Sequence, residues 1–298
     1  MEEYDCNFIL SGSNARKLKQ KGANMLGGRA LKRYMHPFTV SELSQDSPPS
    51  LDDLLIWGTL PAIWKYSRRD ARDHLKSYVE VYLGEEILQE ALVRNIGGYT
   101  RFLDLVAAYC GEIVHFTSVG KEAGIPTRTV QSYFEILEDT LLAIRLPAWR
   151  KSPTKSLLSH PKIYLFDNGI TNSLCHRLGS GEIDAKVRGR LFEQFMIQET
   201  RRILDYRNLD FALYYWRTNH GAEVDLLIES DGQLIHAIEF KSGRRVSTSD
   251  ISGLRSFHED YPQVSCTIVS TMEEPFTLDF VSVIPWRMYL DLLQNLPS

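Results

Sequence analysis

Residues 221–245, GAEVDLLIESDGQLIHAIEFKSGRR, constrain this chain more than any other stretch. Two runs of strand composition, EVDLLIE and LIHAIEFK, flank Asp231-Gly232, a dipeptide whose tolerance of left-handed backbone suits a two-residue hairpin turn. An antiparallel pair is therefore expected here, and residues two apart on one strand share a face. Glu239 and Lys241 are two apart. Asp225 and Glu239 both sit six or seven residues from the turn, on facing strands, so register decides whether their carboxylates meet. Upstream, a long helix is expected over about 187–206. On it Glu193 falls within the apolar arc of Leu191, Phe192, Phe195 and Met196, and so points inward.

Carboxylates converging on one buried spot repel one another and raise a pKa unless a cation separates them. A hard divalent ion with oxygen ligands, Mg²⁺ or Mn²⁺, meets that need, with Asp225 and Glu239 as candidate ligands. Phosphodiester cleavage uses such an ion to activate water and to stabilise charge on phosphoryl oxygens. In that scheme Lys241 positions the water or neutralises the transition state, and Glu193 supports the metal or its water. The Glu-Phe-Lys pattern also fits an exposed strand face with a cross-strand ion pair, so both readings stand at this level.

The rest of the chain reads as α/β and multi-domain, since 298 residues accommodate two or three cores. With 34 basic and 38 acidic residues there is no global field for a polyanion, and any DNA surface must be a local patch. Cys6, Cys110, Cys175 and Cys266 form no Cys-x-x-Cys pair, which argues against a zinc ribbon or disulfide framework and for a reduced, cytoplasmic setting. No apolar run is long enough for a membrane span, and the acidic start MEEYDCNFIL is unlike a signal peptide.

NFIL (7–10) reads as a short apolar strand, and SQDSPPSLDD (44–53) as a linker. A helical pattern from Leu51 to Asn95 is expected to end at a Gly97-Gly98 C-cap. TRFLDLVAAYC (100–110) reads as a helix, followed by two more joined by a turn at Gly124-Ile125. In the second of these, Val130, Phe134, Leu137 and Leu141 make one apolar stripe. Strands in AIRLPAW and KIYLF would supply the wing of a helix-turn-helix. Arg128 and Gln131, with Thr127 and Ser132, offer a polar face for DNA, while Glu135, Glu138 and Asp139 on the same helix suit docking equally well. Arg244 and Arg245 would flank a scissile strand beside Lys241. Trp149 and Trp216 are expected to pack. A helix at about 249–258 and strands VSCTIVS and FVSVIP complete the C-terminal region.

Glu193, Asp225, Glu239 and Lys241 resemble the PD-(D/E)XK nuclease-like motif. YFEILEDTLLAIRLPAWRKSP, HPKIYLFDNGI, GRLFEQFMIQE and YYWRTNHGAEVDLLIE resemble AAA-type ATPases that carry a DUF4143 region, expected here over roughly 58–225. FILSGSNAR is similar to the sensor strand of those ATPases, and GRALKRYMHPFTVSEL to their arginine-containing segment, which makes Arg29 the nucleotide-sensing candidate. The sequence has no G-x-x-x-x-G-K-[ST] loop, so the resemblance implies a C-terminal portion of a longer ATPase that does not hydrolyse ATP alone. It implies an ATPase remnant (1–50), a helical linker (51–97), a winged helix-turn-helix (98–160) and a nuclease-like domain (161–298). Implied partners are DNA and an ATPase domain or further copies of the chain. A non-catalytic DNA- or protein-binding module, and a regulatory ATPase fragment, are the competing expectations.

Overall fold

The computed structural model describes residues 9, 31–43, 48–81, 95–150, 160–179 and 183–296. Arg29 and most of the expected ATPase remnant lie outside these residues. Of NFIL, only Ile9 is described, and it is exposed and outside any strand.

The first part is helical, with α1 (Val40–Leu43), α2 (Leu51–Trp57), a 3-10 turn (Ile63–Lys65) and α3 (Arg68–Ser77). Ser50 and Ser67 start α2 and α3 by accepting the backbone N–H of Asp53 and Asp70. The turn after α2 needs Gly58, at φ 69, because a Cβ there would lie 2.2 Å from the Asp167 carboxylate.

A three-helix unit follows, with α4 (Ile96–Ala108), α5 (Phe116–Ala123) and α6 (Thr127–Asp139). Gly97-Gly98 does not cap a preceding helix. Asn95 instead opens α4 by accepting from the Gly98 N–H, and Gly98 lies close against Ile125, where no Cβ fits. Gly124 ends α5 in the left-handed conformation, and Pro126 leads into α6. Val130, Phe134 and Leu137 are buried as expected. Leu141 is not, because α6 stops at Asp139 and Leu141 adopts φ 62. Leu142 enters the core instead. A two-stranded antiparallel sheet closes this unit, pairing β1 (Ala143–Leu146) with β2 (Lys162–Leu165), the latter beyond residue 160.

After α7 (Asn168–Leu174) and the long α8 (Ala185–Tyr206), the chain builds a six-stranded mixed sheet. Its strands are β3 (Phe211–Arg217), β4 (Glu223–Ser230), β5 (Gln233–Lys241), β6 (Ser265–Ser270), β7 (Phe276–Leu278) and β8 (Val281–Pro285). They lie in the order β3-β4-β5-β6-β8-β7, with β5, β6 and β8 parallel. Helix α8 and the C-terminal α10 (Trp286–Gln294) pack with one apolar cluster, and α9 (Ser252–Asp260) with a second, so the sheet separates two cores. Residues 147–149 run along the edge strand, with Trp149 N–H donating to Tyr215 at 2.7 Å and Tyr215 N–H to Pro147 at 3.0 Å. That ladder ties the helical unit to the large sheet. Among the described residues no helix is long and apolar enough to cross a membrane.

Candidate functional site

The β4–β5 hairpin turns at Asp231 and Gly232, both at positive φ, with Ser230 paired to Gln233. The ladder then slips by one residue. Glu229 faces Leu234, but Ile228 faces His236, leaving Ile235 unpaired as a bulge. This slip positions the site. Beyond it the register runs Ile228↔His236, Leu227↔Ala237 and Leu226↔Ile238; continued by one step it brings Asp225 level with Glu239, close enough for the Glu239 charge to act on it. Without the bulge Asp225 would face Ile238, and Glu239 would project from the other face.

Four acids meet here around two lysines. Asp225 Oδ2 accepts the Phe240 backbone N–H at 2.9 Å, and Glu239 Oε1 accepts from Lys241 Nζ at 2.8 Å. The other Glu239 oxygen, Oε2, is buried and has no hydrogen-bond partner. Glu193, on α8, accepts from Tyr164 Oη at 2.6 Å and from Lys162 Nζ at 2.9 Å. Lys162 is one of three cluster residues that sequence reasoning missed, with Glu223 and Tyr164. It comes from β2, is almost wholly buried, and also lies 2.6 Å from Glu223 and 3.8 Å from Asp225 Oδ1. The sequence reading did not name Glu223, although its place two residues before Asp225 on the same strand could have found it; it also pairs with Arg217 at the exposed rim. Nothing local marked Lys162, since KIYLF reads as an ordinary strand.

The electrostatics follow from this crowding. Burial first, then the Glu239 and Glu193 charges, push Asp225 well above the ordinary carboxylate range. Burial likewise raises Glu239, against the pull of Lys241. For Lys162, burial favours the neutral amine, but Glu193, Tyr164, Asp225 and Glu223 outweigh it and hold the ammonium charged. Lys241 is held charged by Glu239 and Asp225 in the same way. With every carboxylate ionised, Glu193, Glu223, Asp225 and Glu239 against Lys162 and Lys241 leave a formal excess of about two negative charges, shared at the rim with Arg217.

Among the described residues no three His, Cys, Asp or Glu side chains form a ready metal cage. The Lys162 ammonium stands between Glu193, Glu223 and Asp225. Mg²⁺ needs no such cage, because it keeps several waters and takes one or two carboxylates. The facing Asp225 and Glu239, the latter with an orphaned buried oxygen, fit that smaller donor set.

The other expected site residues lie apart from this cluster. Arg128 and Gln131 are exposed on α6, and Arg244 and Arg245 are exposed in the loop after β5, where Arg244 sits 3.8 Å from Glu273. Trp149 donates to Glu229 at 3.2 Å and packs edge-on to Tyr261, and Trp216 packs edge-on to Phe257. Cys110, Cys175 and Cys266 are free thiols. A separate cavity of about 260 Å³, lined in part by His36, Glu138, Arg145 and Arg201, has these side chains paired: His36 and Arg201 with Asp205, and Arg145 with Glu138.

No solved structure matches the chain. An uncharacterized protein of Mycobacterium bovis and one of Mycobacterium tuberculosis are each 26% identical to it over 284 residues, covering 93% of this chain. The chain spans 62% of the length of these curated relatives. Residues 48–182, which supply Lys162, match a domain of unknown function, DUF8612. The chain carries a match to a second domain of unknown function, DUF4143, not over the expected 58–225 but over 188–289, the stretch that holds Glu193, Asp225, Glu239 and Lys241.

Proposed function

We propose that the cluster is a divalent-metal centre for cleaving a nucleic-acid phosphodiester, with Asp225 and Glu239 as the metal-holding carboxylates. The observation that carries this reading is the buried, unpartnered Glu239 Oε2 beside Asp225, in a cluster where four carboxylates meet two lysines. Desolvated carboxylates in that state are costly to the fold and are characteristic of sites that await a cation. A bound Mg²⁺ or Mn²⁺ would supply an activated water and neutralise charge on the phosphoryl oxygens. The chain's own residues do the rest. The Phe240 N–H fixes Asp225, so its carboxylate is oriented before any ligand arrives. Lys241 is held protonated, with one N–H on Glu239 and its other donors free to turn toward a phosphoryl oxygen. It therefore acts by charge and hydrogen bonding rather than as a base. Glu193 is already engaged by Tyr164 and Lys162, which suits a supporting carboxylate better than a proton acceptor.

The exposed Arg244 and Arg245 next to this strand would hold the flanking phosphates, and Arg128 and Gln131 on α6 would contact duplex DNA in a winged-helix manner. In this reading the six-stranded region is a PD-(D/E)XK-like domain. These residues carry no phosphate-cradling loop, so nucleotide sensing by Arg29 would need an ATPase domain supplied from outside them.

The test is cleavage of plasmid and single-stranded DNA with Mg²⁺ or Mn²⁺ by wild type, Asp225→Ala and Lys241→Ala. We expect both variants to lose at least about a hundredfold in rate. Equal cleavage by all three proteins would refute the assignment. One observation favours a second reading. The Lys162 ammonium already balances three of the carboxylates, as it would in a non-catalytic binding module whose site has lost its metal. DNA that is bound in Mg²⁺ yet survives intact would select that reading.

A further inference from the structure

Lys162 does not belong to the strand pair that carries the acids. It lies on β2, in the small sheet that closes the three-helix unit, where it pairs with Leu146 and bridges to Ile113. Its side chain crosses from that unit into the cluster of the large sheet and ends 2.6 Å from Glu223, 2.9 Å from Glu193 and 3.8 Å from Asp225. An ammonium buried this deeply is tolerated because three carboxylates surround it. A divalent ion on Asp225 brings two further positive charges to the carboxylate that Lys162 faces. Among desolvated carboxylates the two cations repel strongly, so they compete.

We infer that Lys162 is a built-in counter-cation of the Asp225–Glu239 site, competing with a divalent ion for the same carboxylate cluster and so tying metal occupancy to the position of β2. This inference rests on the metal-site reading above. Lys162 balances the acids in the absence of metal and is displaced out of the cluster as the ion binds. Motion of the small sheet, for instance on nucleic-acid contact through α6, would ease metal entry.

Binding of Mn²⁺ to the full chain, followed by electron paramagnetic resonance, tests this without reference to cleavage. Wild type is expected to bind Mn²⁺, Lys162→Met to bind it at least tenfold more tightly, and Lys162→Met combined with Asp225→Asn to lose binding. Equal or weaker binding by Lys162→Met than by wild type overturns the inference and leaves the metal site standing. No Mn²⁺ binding by either protein overturns both. If Lys162→Met does not fold, acetic anhydride labelling of wild type decides, read by mass spectrometry. Labelling of Lys162 should rise severalfold on saturation with Mn²⁺, while that of the exposed Lys121 stays constant. An unchanged Lys162 label in protein that binds Mn²⁺ overturns the proposal.

Discussion

Two buried charge clusters lie on opposite halves of α8, and they are built on opposite principles. Toward its C-terminal end, Arg202 and Glu199 pair at 2.9 Å with almost no exposure. Arg202 also donates to Thr59 Oγ1 at 2.8 Å and to the carbonyls of Phe166 and Phe38. Glu199 Oε2 accepts the Val40 N–H at 2.9 Å, and nearby Asp167 accepts from the N–H groups of Thr59 and Ile170. Neither carboxylate leaves a buried oxygen without a partner, and the network staples the 38–40 and 58–59 segments to the helix. Toward the N-terminal end, Glu193 joins a cluster in which acids outnumber lysines and Glu239 keeps an oxygen unpartnered. A satisfied network positions backbone; a buried oxygen left unsatisfied weakens the fold that carries it.

Breaking the satisfied network should have the largest effect. Arg202→Met strands Glu199 without its partner and should cost about 3–5 kcal/mol in urea denaturation. Replacing both as Arg202→Met with Glu199→Leu should recover much of that loss. A single-variant loss below about 1 kcal/mol would erase the distinction drawn between the clusters.

The opposite sign is expected at the open cluster. Asp225→Asn should stabilise the metal-free protein by roughly 1–2 kcal/mol at pH 8, because it removes a carboxylate that resists ionising in the fold. Asp225 holds its proton more tightly folded than unfolded. Ionisation therefore weakens the fold as pH rises from the unfolded value through the folded one, and the penalty is complete above it. The gain from Asp225→Asn should accordingly shrink as pH is lowered toward 4, which thermal melts across pH would show. A gain that grew in acid would reverse the assigned direction.

Two smaller effects sharpen the contrast. Lys241→Met removes a third-exposed partner of Glu239 and should lower stability by about 1 kcal/mol, with the loss made good by added Mn²⁺. Arg217→Ala at the rim, where the guanidinium is nearly half exposed, should change stability by less than about 0.5 kcal/mol.

Much of this was written in local pattern. The hairpin announced itself through Asp231-Gly232, the pair of helices α5 and α6 through Gly124 and most of the α6 stripe, and α8 through its apolar arc. What stayed hidden was long-range. The bulge at Ile235 decides whether Asp225 and Glu239 share a face, yet Ile235 fits a regular strand as readily as a bulge. Lys162 is separated from Asp225 by sixty-three positions, and no periodicity links them. Gly97-Gly98 misled because glycine serves both helix exits and close helix contacts, and the partner that chooses between them, Ile125, is far along the chain.

The route of the 147–149 segment along Tyr215 has a practical corollary. A protein trimmed to begin near residue 183 would keep every acid of the cluster but forfeit Lys162, Tyr164 and the 147–149 segment that bonds to the sheet's edge. Such a fragment would test a different molecule: over-acidic, prone to edge-to-edge sticking, and uninformative about the intact chain whether it cut DNA or not.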